Sequence, residues 1–133
     1  MIVYVDTSAL LKRVIAESGS DEARSALRRS AEAGDLLASS ALTWVEVERA
    51  LRRAEVRGLG QLAEAALAGI DELPLGASVL ERARSIGPSG LRSLHALHLA
   101  SAVAAGADTL MTYDERLAVA ARGEGIEVTG ALS

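Results

Sequence analysis

Cysteine and phenylalanine are both absent from the 133-residue chain, and lysine occurs once, at Lys12. Without cysteine there are no disulfides, no thiolate nucleophile and no zinc-thiolate site, which suits a reducing compartment. Aromatic residues make up 2% of the chain while half of it is hydrophobic, so the core must be built from Ala, Leu, Val and Ile. That composition favours closely packed helices. No apolar run is long enough to cross a bilayer: the longest, Leu94 to Ala107, is interrupted by His95, His98 and Ser101 and reads as a buried helix. The start, Met1-Ile2-Val3-Tyr4-Val5-Asp6, lacks the basic region and long apolar core of a signal peptide, and the expectation is a cytoplasmic protein with no membrane contact. Excess positive charge is missing too. The net charge of -4 has the wrong sign for holding nucleic acid on a general basic surface, so any RNA contact must be local.

Short apolar runs alternate with helical patterns. Ile2 to Val5 reads as a buried strand, followed by a helix from Ala9 carrying Leu10, Leu11, Val14 and Ile15 until the Glu17-Ser18-Gly19-Ser20 cluster. A helix over Asp21 to Ala33, capped by Ser20 and stopped by Gly34, leads to a strand at Leu36 to Ser39. Next come helices at about Trp44 to Arg57, with Val47, Ala50, Leu51 and Ala54 as the buried stripe, and at Gln61 to Ala68. Ile70 to Leu75 contains Pro74 and reads as an edge strand. A helix at Ala77 to Ser85 and the long helix from Ser93 precede a strand at Thr109 to Thr112, a helix at Glu115 to Ala121 and a strand at Ile126 to Val128. This alternation predicts an α/β fold whose mostly parallel sheet is covered on both faces.

In such sheets ligands bind beyond the carboxyl ends of the strands, where the strand order reverses. Asp6 directly follows the first strand, Asp114 follows the fourth, and Glu46 sits early in the helix after the second. Each acid also has a structural reading. Asp6 and Asp114 are suited to N-capping, and Glu46 could pair with Arg49 at i+3. Together at one sheet edge they would be a different object, because two carboxylates about 4 Å apart repel by roughly 4 kcal/mol at an effective dielectric of 20. Such a cluster needs a cation or a shared proton; as a cation, its hard oxygens suit Mg²⁺ or Mn²⁺, ions that also serve phosphodiester chemistry.

Other chemistries lack required residues. Gly58-Leu59-Gly60 follows a helix and not a strand, Gly87-Pro88-Ser89-Gly90 lacks the last glycine of a nucleophile elbow, and no Gly-Lys-Ser/Thr occurs. A haloacid-dehalogenase-like site would need an aspartate where Ser8 stands, and a receiver domain would need a lysine after a late strand.

Four segments carry a family resemblance: Val5-Asp6-Thr7-Ser8-Ala9-Leu10, Thr43-Trp44-Val45-Glu46, Leu91 to Ala100 with His95 and His98, and Thr112-Tyr113-Asp114. In that order and at those separations they resemble the signature blocks of VapC-like PIN-domain ribonucleases, the toxins of type II VapBC toxin-antitoxin systems. The resemblance spans nearly the whole chain and implies one PIN domain over residues 1–133, a three-layer α/β/α fold with a sheet of four or five strands. It also implies an endoribonuclease using Mg²⁺ or Mn²⁺, a VapB-type antitoxin partner, an RNA substrate and a homodimer.

By position the resemblance makes Asp6, Glu46 and Asp114 the catalytic and metal-binding acids, supported by the hydroxyls of Thr7, Ser8 and Thr112. The third acid position departs from the pattern, with His95 where the family carries aspartate. A neutral histidine can ligate Mn²⁺ or a softer ion but is a poor Mg²⁺ ligand. His98, three residues on, could form a metal pair with His95, or be a hydrogen-bonded core residue. The substitution at 95 sustains a second reading, a catalytically impaired PIN module that binds RNA or an antitoxin-like partner.

Overall fold

A computed structural model describes residues 1–130. In chain order the elements are β1 (Ile2–Val5), α1 (Thr7–Leu11), α2 (Ser20–Glu32), β2 (Leu36–Ser40), α3 (Ala41–Arg53) and α4 (Leu59–Leu67). They continue with β3 (Asp71–Leu73), α5 (Ala77–Ala83), α6 (Ser93–Ala104), β4 (Thr109–Met111), α7 (Glu115–Gly123) and β5 (Glu127–Thr129). The five strands form one sheet in the order β3-β2-β1-β4-β5, and every pairing is parallel. Among the described residues no helix is long and apolar enough to cross a membrane.

Side chains on β1 alternate between the two faces, as a strand requires. Tyr4 joins Leu110, Val128 and residues of α6 and α7 on one side. Val3 and Val5 join Met111, Leu37 and residues of α1 and α2 on the other. A satellite cluster links Val47 and Leu51 of α3 to Ala63 and Ala66 of α4. The result is the three-layer architecture expected, with β3 at an edge.

Several helix boundaries differ from those expected, and tertiary hydrogen bonds explain why. Helix α1 stops at Leu11 because tight turns follow, with Arg13 N–H donating to Leu10 and Val14 N–H to Leu11. Those turns still deliver Val14 and Ile15 to the α3-α4 cluster. Ser20 is not the cap of α2: Gly19, at φ 85°, holds that place, while the Ser20 hydroxyl donates to Ile15 O and accepts from Glu17 N. Helix α3 begins at Ala41, capped by the Ser40 hydroxyl accepting from Leu42 N. It ends at Arg53, before Glu55 turns left-handed at φ 52°. Its buried positions are Thr43, Val47 and Leu51, whereas Ala54 is exposed. Ser93 does not cap α6 either; Arg92 occupies the N-cap position without a side-chain bond.

Gly130 passes close to the strand that carries the site. A Cβ there would lie 2.1 Å from Thr112 O, at φ +118°, whereas Gly34, at φ +85°, has open space around its Cβ position. Gly130→Ala is therefore expected to lose more stability than Gly34→Ala, which carries only the backbone strain of about 1 kcal/mol. Thermal unfolding of the two variants checks this; equal Tm values would show that the close approach is not tight.

Candidate active site

From β1 the chain proceeds to β2 and β3 on one side, then returns to lay β4 and β5 on the other. Strand order therefore reverses between β1 and β4, and the crevice beyond their carboxyl ends is where an open α/β sheet binds ligands. Asp6 and Asp114 follow those two strands.

Hydroxyl groups stitch the two acid-bearing segments together. Asp6 is 3% exposed; its Oδ1 accepts from Ser8 Oγ at 2.7 Å and Ala9 N at 3.4 Å, and its Oδ2 accepts from Thr112 Oγ1 at 3.0 Å. Thr112 Oγ1 in turn accepts from Asp114 N at 3.0 Å, and Ser8 Oγ accepts from Tyr113 N at 2.9 Å. Asp114 Oδ1 accepts from Leu117 N at 3.0 Å. Both aspartates are thus N-caps, and Asp114 spends only one oxygen on that role. Burial pushes the Asp6 carboxyl above its usual range, against the opposing pull of the Ser8, Thr112 and Ala9 hydrogen bonds.

Glu46 does not meet Arg49. Its Oε1 accepts from Thr7 Oγ1 at 2.6 Å and lies 2.6 Å from His98 Nε2. Burial would raise this carboxyl, yet the His98 and Thr7 hydrogen bonds hold it below the usual value. His98 is 2% exposed, and its Nδ1 lies 2.7 Å from Tyr4 Oη. With both ring nitrogens engaged inside the core, His98 forms no metal pair with His95. His95 is in the first turn of α6, its Nε2 3.6 Å from Asp114 Oδ2, too far for a hydrogen bond. Its Nδ1 is buried without a partner.

Among the described residues no three His, Asp or Glu side chains converge to hold a metal ion as they stand. The geometry shows why: Asp6 is wrapped in hydroxyls, Glu46 leans on His98, and His95 occupies the space beside Asp114. The donor set still fits Mg²⁺, which keeps most of its waters and takes one or two carboxylates. It does not fit zinc, which wants four tight ligands. A cavity of about 710 Å³ beside α2 is lined by Val3, Met111, Tyr113 and Thr129 and includes none of Asp6, Glu46 and Asp114. The sheet's carboxyl edge therefore carries the argument. The Tyr4-His98 connection escaped the sequence reading; its signal was a lone tyrosine in an aliphatic strand, since a buried phenol needs a partner.

The PIN domain family model matches residues 3–123. Ribonuclease VapC47 of Mycobacterium tuberculosis (strain CDC 1551 / Oshkosh) is 40% identical over 118 residues, covering 87% of each chain. Ribonuclease VapC46 of Mycobacterium tuberculosis (strain ATCC 25618 / H37Rv) is 39% identical over 130 residues, covering 95% of each. Among solved structures, VapBC2 from Rickettsia felis bound to a promoter DNA fragment has a TM-score of 0.72 at 15% identity, covering 98% of each chain. Mycobacterium tuberculosis VapC20, described as a Sarcin-Ricin loop cleaving toxin, has a TM-score of 0.70 at 17% identity, covering 89% of this chain and 94% of its own. These likenesses in structure are likenesses of fold. The chain belongs to the PIN-domain family, in the VapC branch that its sequence relatives define.

Proposed function

We propose that this chain, as a single domain over residues 1–133, is an endoribonuclease that hydrolyses RNA phosphodiester bonds and serves as the toxin of a VapBC pair. Mg²⁺ or Mn²⁺ is the cofactor, Asp6, Glu46 and Asp114 are the catalytic and metal-holding acids, and Thr7, Ser8 and Thr112 support them. The observation that carries the reading is the Asp6-Thr112-Asp114 link at the strand-order reversal, where one hydroxyl serves both acid-bearing segments. The ion, when bound, supplies Lewis acidity toward the phosphodiester. The chain's part is to hold negative charge ready. Glu46 stays ionised because its partners hold its carboxyl low, Asp6 is a buried charge that a cation relieves, and Asp114 presents the oxygen its cap leaves over. Exposed arginines at Arg49, Arg52, Arg53, Arg57 and Arg92 offer local phosphate contacts on an acidic protein.

The test is cleavage of RNA by the purified chain with Mg²⁺ or Mn²⁺, expected to stop with chelator. RNA binding that persists in chelator, with no cleavage in either ion, would instead favour the impaired binding module. That second reading is favoured by one observation, His95 standing beside Asp114.

The Rickettsia felis structure and a Klebsiella pneumoniae toxin-antitoxin complex with a TM-score of 0.68 support a VapB-type antitoxin as partner; that the toxin is a cytoplasmic homodimer is part of the same proposal and rests on the family resemblance. Arginine suits such an antitoxin as a plug, since a guanidinium pairs bidentately with carboxylates. Co-expression with the neighbouring reading frame is expected to yield a stable complex by pull-down; no complex would count against the VapBC assignment.

A further inference from the structure

A buried hydrogen-bond chain runs from the end of β2 through Tyr4 of β1 and His98 to Glu46. Ser40 N–H donates to Tyr4 Oη at 3.1 Å, Tyr4 Oη lies 2.7 Å from His98 Nδ1, and His98 Nε2 lies 2.6 Å from Glu46 Oε1. Tyr4 is 0% and His98 2% exposed, and the two rings meet edge to face at 72°. An ionised Glu46 can only accept, so His98 Nε2 carries the ring proton and donates to it. In the neutral imidazole Nδ1 is then an acceptor, and it takes the Tyr4 proton while the phenol oxygen accepts the Ser40 amide. Thr7 donates to the same carboxylate oxygen. Two donors on Oε1 fix the carboxylate's rotation and leave Oε2 without a hydrogen bond from any described residue.

We infer that Tyr4 and His98 are positioning residues: they lock the His98 Nε2–H tautomer so that Glu46 presents Oε2 to a divalent cation at the sheet's carboxyl edge. This rests on the metal-nuclease reading above. The surroundings argue against mere space-filling. The neighbours in that cluster are Leu99, Leu110 and Leu117, an aliphatic setting into which the phenol and the imidazole bring polar groups that must be satisfied. Replacing both by apolar groups would strand the buried Ser40 amide at one end and Glu46 Oε1 at the other, so the pair is tied to what it holds and not to packing alone.

The experiment uses Mn²⁺ alone as probe, titrated by electron paramagnetic resonance into the wild type, Tyr4→Phe/His98→Leu, His98→Gln and Asp6→Asn, with imidazole ¹⁵N spectra of the metal-free wild type. The spectra are expected to show His98 protonated on Nε2 only; a proton on Nδ1 overturns the inference. The folded double variant is expected to bind Mn²⁺ about 10- to 100-fold more weakly, the usual effect of losing a group that orients a ligand. His98→Gln keeps an amide donor and is expected to recover part of the loss. Should the double variant not fold, Tyr4→Phe, which removes one hydroxyl, is read in the same way. Wild-type affinity in the folded variant sinks this inference alone. No Mn²⁺ binding by the wild type sinks the metal-site reading and this inference with it.

Discussion

Asp6→Asn is expected to lose at least about a hundredfold in metal-dependent RNA cleavage while folding as well as the wild type. Loss of a group that merely orients a ligand typically takes about 10- to 100-fold, and Asp6 is proposed as a ligand itself. Structure should survive, because the amide oxygen can still accept from Ala9 N and Ser8 Oγ. The amide NH₂ then faces Thr112 Oγ1, which has a second lone pair and can turn its proton toward Ser8 Oγ, 3.4 Å away. The pH dependence has a definite sign. Burial raises the Asp6 carboxyl in the folded state, so the folded chain holds this proton more tightly than the unfolded one. Ionised Asp6 therefore opposes folding: the penalty is absent below the ordinary aspartate value of about 3.9 and grows as pH rises through the raised one. Asparagine carries no such penalty. At neutral pH without metal the variant should melt at or above the wild type, and in acid the difference should vanish. Mn²⁺ at a hundredfold over its Kd should then stabilise only the wild type, by about 2.7 kcal/mol. Thermal unfolding with and without Mn²⁺, beside RNA cleavage, checks both halves. A metal-free variant that melts well below the wild type, with cleavage lost only in proportion to unfolding, would reduce Asp6 to a helix cap.

Glu46 has the opposite sign. Its lowered carboxyl contributes stability above the ordinary glutamate value, and that contribution is lost as pH falls through the lowered one. Two acids from one proposed site thus respond to pH in opposite directions, because one is enclosed by the sheet and the other leans on a histidine.

The fold was legible where local pattern and tertiary demand agree. Ile2 to Val5 is apolar, β-branched and ended by an acid, and it became the central strand; Pro74 placed its neighbouring strand at an edge. Helix ends were less legible because distant atoms decide them. Ser20 looks like a cap in sequence, but Ile15 and Glu17 claim its hydroxyl. The candidate acids were legible as residues following strands, and the family blocks singled out the same three. What joins them was not. Thr112 reaches Asp6 and His98 reaches Glu46 across long stretches of chain, and no periodicity encodes such a contact. Capping leaves room for the proposed role, since Asp114 caps α7 with one oxygen and has the other beside His95.

His95→Asp is expected to tighten Mg²⁺ binding and raise Mg²⁺-supported cleavage by at least about tenfold, which is about 1.4 kcal/mol. The imidazole is poorly served where it stands. Its buried Nδ1 has no partner, a condition that costs about 1–3 kcal/mol, and its Nε2 is 3.6 Å from Asp114 Oδ2. It also occupies the first turn of α6, where the helix dipole favours an anion by roughly 0.3–1 kcal/mol. Aspartate removes the orphan nitrogen and suits the dipole. It also adds a fourth acid to Asp6, Glu46 and Asp114, beside Asp114 and within reach of the charge on Glu46, a repulsion that a cation relieves. The benefit of the substitution should therefore appear chiefly when Mg²⁺ is present. The wild type, with nitrogen at this position, should show weak Mg²⁺ support and a larger share of its activity with Mn²⁺, an ion that accepts imidazole more readily. Paired Mg²⁺ and Mn²⁺ titrations of RNA cleavage by the two proteins, at equal concentration and matched folding, measure the difference. Equal Mg²⁺ dependence and equal rates would mean that position 95 touches no ion, and the site would have to be redrawn around Asp6, Glu46 and Asp114 alone.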